Sequence, residues 1–94
     1  MVTRLVFVKL KDQATRPQVA EAARQAFAQI AVVRSSEVLE PADANAEVWD
    51  LCFRVLFDSI EDVPTYIDDP AHVAFVDNVL TPAADVKKGW NFKA

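Results

Sequence analysis

Ninety-four residues, 52% hydrophobic and 10% aromatic, suffice for one folded domain and not for two, so a single domain over 1–94 is expected. A net charge of −4 without any basic run makes nucleic acid a poor partner. One cysteine, Cys52, rules out an internal disulfide and a cysteine-based metal cluster, and no apolar run approaches the ~20 residues of a membrane span.

The opening MVTRLVFVKLKD lacks the layout of a signal peptide, which points to a cytoplasmic protein. TRLVFVKL, residues 3–10, is predicted as a strand, because β-branched and aromatic residues dominate a run too short for a helix. Both of its faces are apolar: Val6, Val8 and Leu10 on one, Leu5 and Phe7 on the other. Residues 15–30 read as a helix capped by Thr15, with Gln18 at the capping-box position and Pro17 in the first turn. Its apolar stripe is Val19, Ala22, Ala23, Ala26, Phe27 and Ile30. A weaker strand over 32–40 and a turn-rich loop over 41–47 follow. In VWDLCFRVLF, 48–57, Trp49, Leu51, Phe53, Val55 and Phe57 alternate onto one apolar face, and Cys52 reads as a small buried hydrophobe. Ser59 caps a short helix over 60–68, kept short by Pro64. Pro70 restarts the chain as a third helix over 71–80, which Pro82 ends. VKKGWNF, 86–92, is a last strand whose inward face alternation leaves open.

The order strand, helix, strand, strand, helices, strand is that of a ferredoxin-like split βαβ sheet. This is an α+β fold, with a four-stranded antiparallel sheet and helices on one face. The helices cannot also cover the second apolar face of the first strand. An apolar sheet face left open marks an interface. A homodimer is therefore expected, with the sheets packed face to face as an isologous pair.

RLVFVKLKD, FDSIEDVPTYIDDPAHVAFV and GWNF together resemble the stress-responsive A/B barrel domain, also called the dimeric α/β barrel, over nearly the whole chain. The middle segment, where an aromatic residue precedes a P-x-H element, is the most specific of the three. The resemblance implies a small homodimer. Most members have unassigned or stress-linked functions. One, a plant polyketide cyclase, closes a linear polyketide by aldol condensation without metal or cofactor. Tyr66 and His72 match the tyrosine and histidine that such a cyclase uses for proton transfer. Three places depart from the pattern. Arg4 stands where the first strand usually carries a histidine. Ala22, Ala23 and Ala26 line a helix face that is bulky and aromatic in the cyclase. The proline-glycine turn before the second strand is missing from QIAVVRS.

The chain's one histidine and one tyrosine carry the functional question. On a helical wheel Phe75, Val76 and Val79 flank His72, which turns it inward. A buried imidazole needs a hydrogen-bond partner. His72 is either a core histidine that ties its helix down or a general base kept neutral by desolvation. Tyr66 lies at the edge of its helix's apolar side. It reads as a boundary residue with a wet hydroxyl, or as a hydrogen-bond donor to a developing enolate or alkoxide. Arg4 shares parity with Val6 and Val8. The resemblance turns that side toward the helices, because the cyclase's first-strand histidine faces its cavity. A guanidinium there needs a partner, either an ion pair near the strand end or the carboxylate or phosphate of a ligand. The alanine-rich helix face admits close packing on the sheet, or a pocket walled by Phe27, Trp49, Phe53 and Phe75. Asp68 and Asp69 read as a solvated helix end. One histidine with scattered carboxylates makes no metal site.

Two functions are carried forward. In the first, a small hydrophobic or anionic aromatic ligand fills a pocket lined by Arg4, Val6, Val8, Phe27, Trp49, Phe53 and Phe75. The protein is then a cofactor-free enzyme of the polyketide cyclase type, with His72 as base, Tyr66 as donor and Arg4 as anion anchor. In the second, a non-catalytic, stress-linked homodimer uses His72 structurally. A cofactor-free monooxygenase is a third reading, by analogy of fold alone. An enclosed cavity touching Arg4, Tyr66 and His72 together favours the first. A filled core with His72 bonded to backbone favours the second.

Overall fold

The opening strand becomes the middle of the sheet. In the computed structural model, which describes residues 1–43 and 48–94, β1 (Val2–Leu10) is paired along both edges. β3 (Leu51–Phe57) and β4 (Ala84–Lys93) flank it antiparallel, and β2 (Ser35–Leu39) pairs with the far edge of β3. The order β2-β3-β1-β4, with helices α1 (Arg16–Ala28), α2 (Asp62–Asp68) and α3 (Pro70–Phe75) in the connections, is the expected ferredoxin-like α+β fold. No helix among the described residues is long and apolar enough to cross a membrane.

Residues paired across strands share a face. Val8 pairs with Leu51, Val6 with Phe53 and Arg4 with Val55, and this face carries the helices. Val8, Leu51, Phe53, Val55 and Phe57 are buried there. Leu5, Phe7 and Cys52 point to the opposite face, as does Trp90, the partner of Leu5. That settles the last strand: Trp90 is 70% exposed and Phe92 52%. Cys52, expected to be buried, is only half-buried and lines a hollow on the outer face. On the inner face, Ala20 and Ala23 are fully buried, so α1 packs close to the sheet. Phe27, Phe53 and Phe75 form a triangle with ring centroids 5.4–5.9 Å apart, mostly edge to face.

Several boundaries differ from expectation. Thr15 does not cap α1. Asp12 takes that task one turn earlier, accepting the Ala14 amide at 2.9 Å and opening a 3₁₀ turn at Gln13–Thr15. Ser59 gives no side-chain cap either; its carbonyl accepts the Asp62 amide at 3.2 Å. The third helix does not stop at residue 80. It widens into a π-helical turn at Val76–Leu80 and runs on through Thr81–Ala83. Pro82 has no N–H for the Asn78 carbonyl and its ring crowds that group, which the wider winding accommodates. The loop expected over 41–47 lies partly outside the described residues.

Trp49 was expected on the inner face with Leu51. Instead β3 begins at Leu51, and Trp49 packs against Phe7 on the outer face, ring centroids 5.6 Å apart. Asp50 breaks the alternation. It is the one buried charged residue among the described residues, 2% exposed. Its amide donates to the Val8 carbonyl at 2.8 Å. Its carboxylate accepts the Leu10 amide at 2.7 Å and Arg16 Nη2 at 2.8 Å. One side chain thus joins the end of β1, the start of α1 and the entry to β3. Burial raises its pKa, but the Leu10 amide and Arg16 outweigh that and hold it below the ordinary 3.8. Asp50→Ala orphans the buried Leu10 amide and the Arg16 charge, so urea denaturation at neutral pH should show a loss of about 3 kcal/mol. The folded pKa is depressed, so this stability is complete above the unfolded value and is lost as pH falls through the folded one. Wild type should therefore lose more stability than Asp50→Ala as pH falls below the ordinary value of 3.8. Parallel losses in the two proteins would refute the assignment.

Candidate active site

The site is built where α2 hands over to α3. Asp69 leaves the helical conformation (φ −61°, ψ 135°), and its carboxylate caps α3 by accepting the Ala71 amide at 2.9 Å. Pro70 supplies the first helical position, where its missing N–H costs nothing. Asp69 is thus a structural cap rather than merely a solvated helix end. The reversal folds His72 back over Tyr66, with ring centroids 4.4 Å apart. Tyr66 was expected at a wet boundary. It is 1% exposed, wedged between Phe57, Phe27 and the imidazole.

His72 is half-buried, and its Nδ1 lies 2.9 Å from the Ile67 carbonyl oxygen. A carbonyl can only accept, so Nδ1 carries the proton and the lone pair of the neutral ring sits on Nε2. Among the described residues, neither Nε2 nor the Tyr66 hydroxyl has a hydrogen-bond partner.

Opposite the pair stands Arg4. Its Nη1 donates to Asn91 Oδ1 at 3.0 Å, across the β1–β4 ladder. The fork lies over Gly89, the only glycine of the chain. A Cβ there would meet Arg4 Nη2 at 3.0 Å and a Val6 methyl at 3.1 Å. Gly89 has no positive φ, so its function is to let the guanidinium approach the strand.

Arg4, Tyr66 and His72 line one cavity of about 300 Å³ between the sheet and the α2–α3 segment. Val6, Phe27, Phe53 and Phe75 line it too, as expected. Val8 does not: it is fully buried elsewhere in the core. Trp49 does not, for the reason given above. The expected pocket under the α1 alanines is absent from this cavity, whose only wall from α1 is Phe27. Sequence reasoning missed Ile67, Val76, Leu80, Lys87, Lys88 and Gly89. Lys87 pairs with Val8, so parity would have found it once the β1–β4 register was known. A larger hollow of about 460 Å³ lies on the outer face around Phe7, Leu39 and Trp49, remote from the tyrosine–histidine pair. Among the described residues no three His, Cys, Asp or Glu converge as metal ligands would.

The electrostatics set the two groups apart. Burial pushes the Tyr66 hydroxyl up to about 12, partly countered by Arg4. Burial pushes His72 below 6.5, and Arg4 and Lys87 add to this against the Ile67 carbonyl and Asp69. At neutral pH the pair therefore offers one O–H donor and one nitrogen lone pair. The cavity touches all three residues, and His72 is also bonded to backbone. The cavity favours the first function, and the backbone bond is only half of the mark for the second, since the core beside His72 is not filled.

Residues 2–87 match the stress responsive A/B barrel domain. The chain belongs to that family. No curated protein matches its sequence. Among solved structures, this A/B barrel domain is similar to a dimeric protein of unknown function and ferredoxin-like fold from Bacteroides fragilis, at 25% identity and TM-score 0.81, covering 99% of this chain and 95% of that one. It is similar to a Dabb family protein with a ferredoxin-like fold from Mesorhizobium loti, at 20% identity and TM-score 0.85, covering 99% and 95%. The fold also extends to a hydroxynitrile lyase from Passiflora edulis, at 15% identity and TM-score 0.79, covering 97% and 90%. The last two likenesses are of fold alone.

A single histidine makes proton NMR unambiguous. Its titration midpoint should lie below the ordinary 6.5, and Arg4→Gln should raise it, because a cation that disfavours the imidazolium is removed. A midpoint at 6.5, unchanged by Arg4→Gln, would mean a solvated and uncoupled ring.

Proposed function

We propose that this A/B barrel protein is a homodimeric, cofactor-free enzyme that moves a proton on a carbon acid, in the manner of a cyclase or lyase. His72 Nε2 takes the proton from a carbon beside a carbonyl. The electron pair of that C–H bond passes into an enolate, and Tyr66 O–H donates a hydrogen bond to its oxygen. In a cyclisation the enolate carbon then attacks a second carbonyl of the same molecule, and the imidazolium returns its proton to the alkoxide formed. The observation that carries this reading is the 4.4 Å ring contact between Tyr66 and His72 inside one apolar cavity, with Nε2 and the hydroxyl both unpartnered among the described residues. The His72–Ile67 bond supports the competing reading, a structural histidine in a non-catalytic dimer.

Deuterium exchange at the central carbon of an aryl 1,3-diketone separates the two. Wild type should accelerate exchange, more so as pH rises through the His72 midpoint, since only the neutral ring accepts a proton. His72→Gln should reduce the rate by about 10²-fold or more, and Tyr66→Phe by a smaller factor. Equal rates in wild type and both variants would leave only the structural dimer.

The dimer is supported by the exposed outer face of Trp90 and Phe92, and by the dimeric Bacteroides fragilis neighbour. Sedimentation should give a dimer at micromolar concentration, and Trp90→Glu should shift it to monomer by burying a charge. A monomeric wild type would contradict it.

A further inference from the structure

We infer that the cavity selects its ligand by one carboxylate, bound by Arg4, on an aromatic or conjugated body. The inference rests on the reading of the cavity as a ligand site and adds the substrate class.

The first observation is charge. Arg16, Arg24, Arg34 and Arg54 each sit against a carboxylate, at 2.6–3.7 Å. Arg4 alone among the arginines has none among the described residues, although it is half-buried and so less able to rely on water than the exposed Arg24, Arg34 and Arg54. Its one recorded partner is the neutral Asn91. A guanidinium in that state calls for an anion.

The second is direction. Gly89, which lines the cavity with Arg4, leaves room for Nη2 beside β4, while Asn91 holds the Nη1 edge. A fork fixed at one end and free at the other suits a planar carboxylate. No Asp or Glu lines the cavity among the described residues, so a bound anion meets no like charge there.

The third is the count of charges. Lys87 also lines the cavity, but its ammonium donates to Thr81 Oγ1 at 3.1 Å and is exposed to solvent. Lys88 borders the cavity too, but it pairs with Phe7, which turns its side chain to the outer face. Lys87 keeps its charge but is screened by water, so the one half-buried cation of the cavity is Arg4, which favours one negative charge, a carboxylate over a phosphate dianion. The other walls are Val6, Phe27, Phe53, Phe75 and Leu80, which accept a flat apolar body. The anion sits on the sheet side, and the rest of the ligand then reaches the tyrosine and histidine on the helix side.

The probes are trans-cinnamate, its neutral isostere cinnamamide, and phenyl phosphate, with affinities read from amide shifts. Cinnamate should bind wild type about tenfold or more tightly than cinnamamide. Arg4→Gln should erase that preference by weakening cinnamate far more than cinnamamide, and Arg4→Lys should keep part of it. Cinnamate should raise the His72 midpoint in wild type by offsetting the Arg4 charge, and cinnamamide should not. If Arg4→Gln does not fold, Gly89→Ala must weaken the preference by crowding the fork. Equal affinities, no binding of either probe at millimolar concentration, a preference that survives Arg4→Gln, or tighter binding of phenyl phosphate would each overturn the inference. Binding involves no proton transfer. A carboxylate preference without deuterium exchange would therefore sink the proposed catalysis and leave this inference standing. Exchange without the preference would do the reverse.

Discussion

The register between β1 and β4 is the constraint on which the rest depends. It sets Gly89 opposite Val6 and Asn91 opposite Arg4. A slip of one residue would turn Trp90 under the helices and Gly89 to the outer face, since side chains alternate. The guanidinium would then meet a side chain where it now meets none. The register is defended at the far end of β1. There the ladder shifts between Lys9 and Leu10, the Leu10 amide leaves for Asp50, and the Lys11 amide bonds the Ala83 carbonyl at 2.9 Å. Asp50 thus secures the sheet from which the site is hung, although it lies outside the cavity.

Burial acts on Tyr66 and His72 in opposite numerical directions for one reason. It disfavours whichever form is charged, the phenolate in one case and the imidazolium in the other. Both groups are held neutral, and neutrality makes them complementary as donor and acceptor. Arg4 acts on both from one position. It favours the phenolate and disfavours the imidazolium, so it narrows the gap from the tyrosine side while strengthening the neutrality of the histidine. A histidine at this place on the first strand would titrate with its surroundings. An arginine keeps a constant charge, so its own share of the field in the cavity does not change with pH near neutrality.

Where a residue's side was set by simple periodicity, the sequence was readable. β1 and the body of β3 alternate cleanly, and the wheel turned His72 inward. Arg4, Val6, Phe27, Phe53 and Phe75 could be assigned to one cavity from these patterns and the family resemblance. The failures share a cause. Trp49 was misplaced because a buried carboxylate bonded to backbone reverses parity at Asp50, and no alternation pattern contains that information. Thr15 lost its cap to Asp12 because a 3₁₀ turn precedes α1. Tyr66 looked peripheral on the wheel of its short helix. It is buried because the chain doubles back at Pro70 and lays α3 across it, a tertiary event. Gly89 and Lys87 acquire meaning only through pairing with a strand more than seventy positions away.

The two faces of the sheet are mechanically one object. Arg4 and Val6 floor the cavity, while Leu5 and Phe7, their immediate neighbours, belong to the outer face. On β4, Gly89 and Asn91 alternate with Trp90 and Phe92 in the same way. β4 is an edge strand, paired on one side only, and edge strands fray first. Anything that clamps Trp90 and Phe92 from outside therefore also holds Gly89 and Asn91, and through them the Arg4 fork. A second copy seated on the outer face would stiffen the cavity floor without contributing a single side chain to it. That coupling follows from the period of a strand, which makes the outer face and the cavity floor two sides of one element.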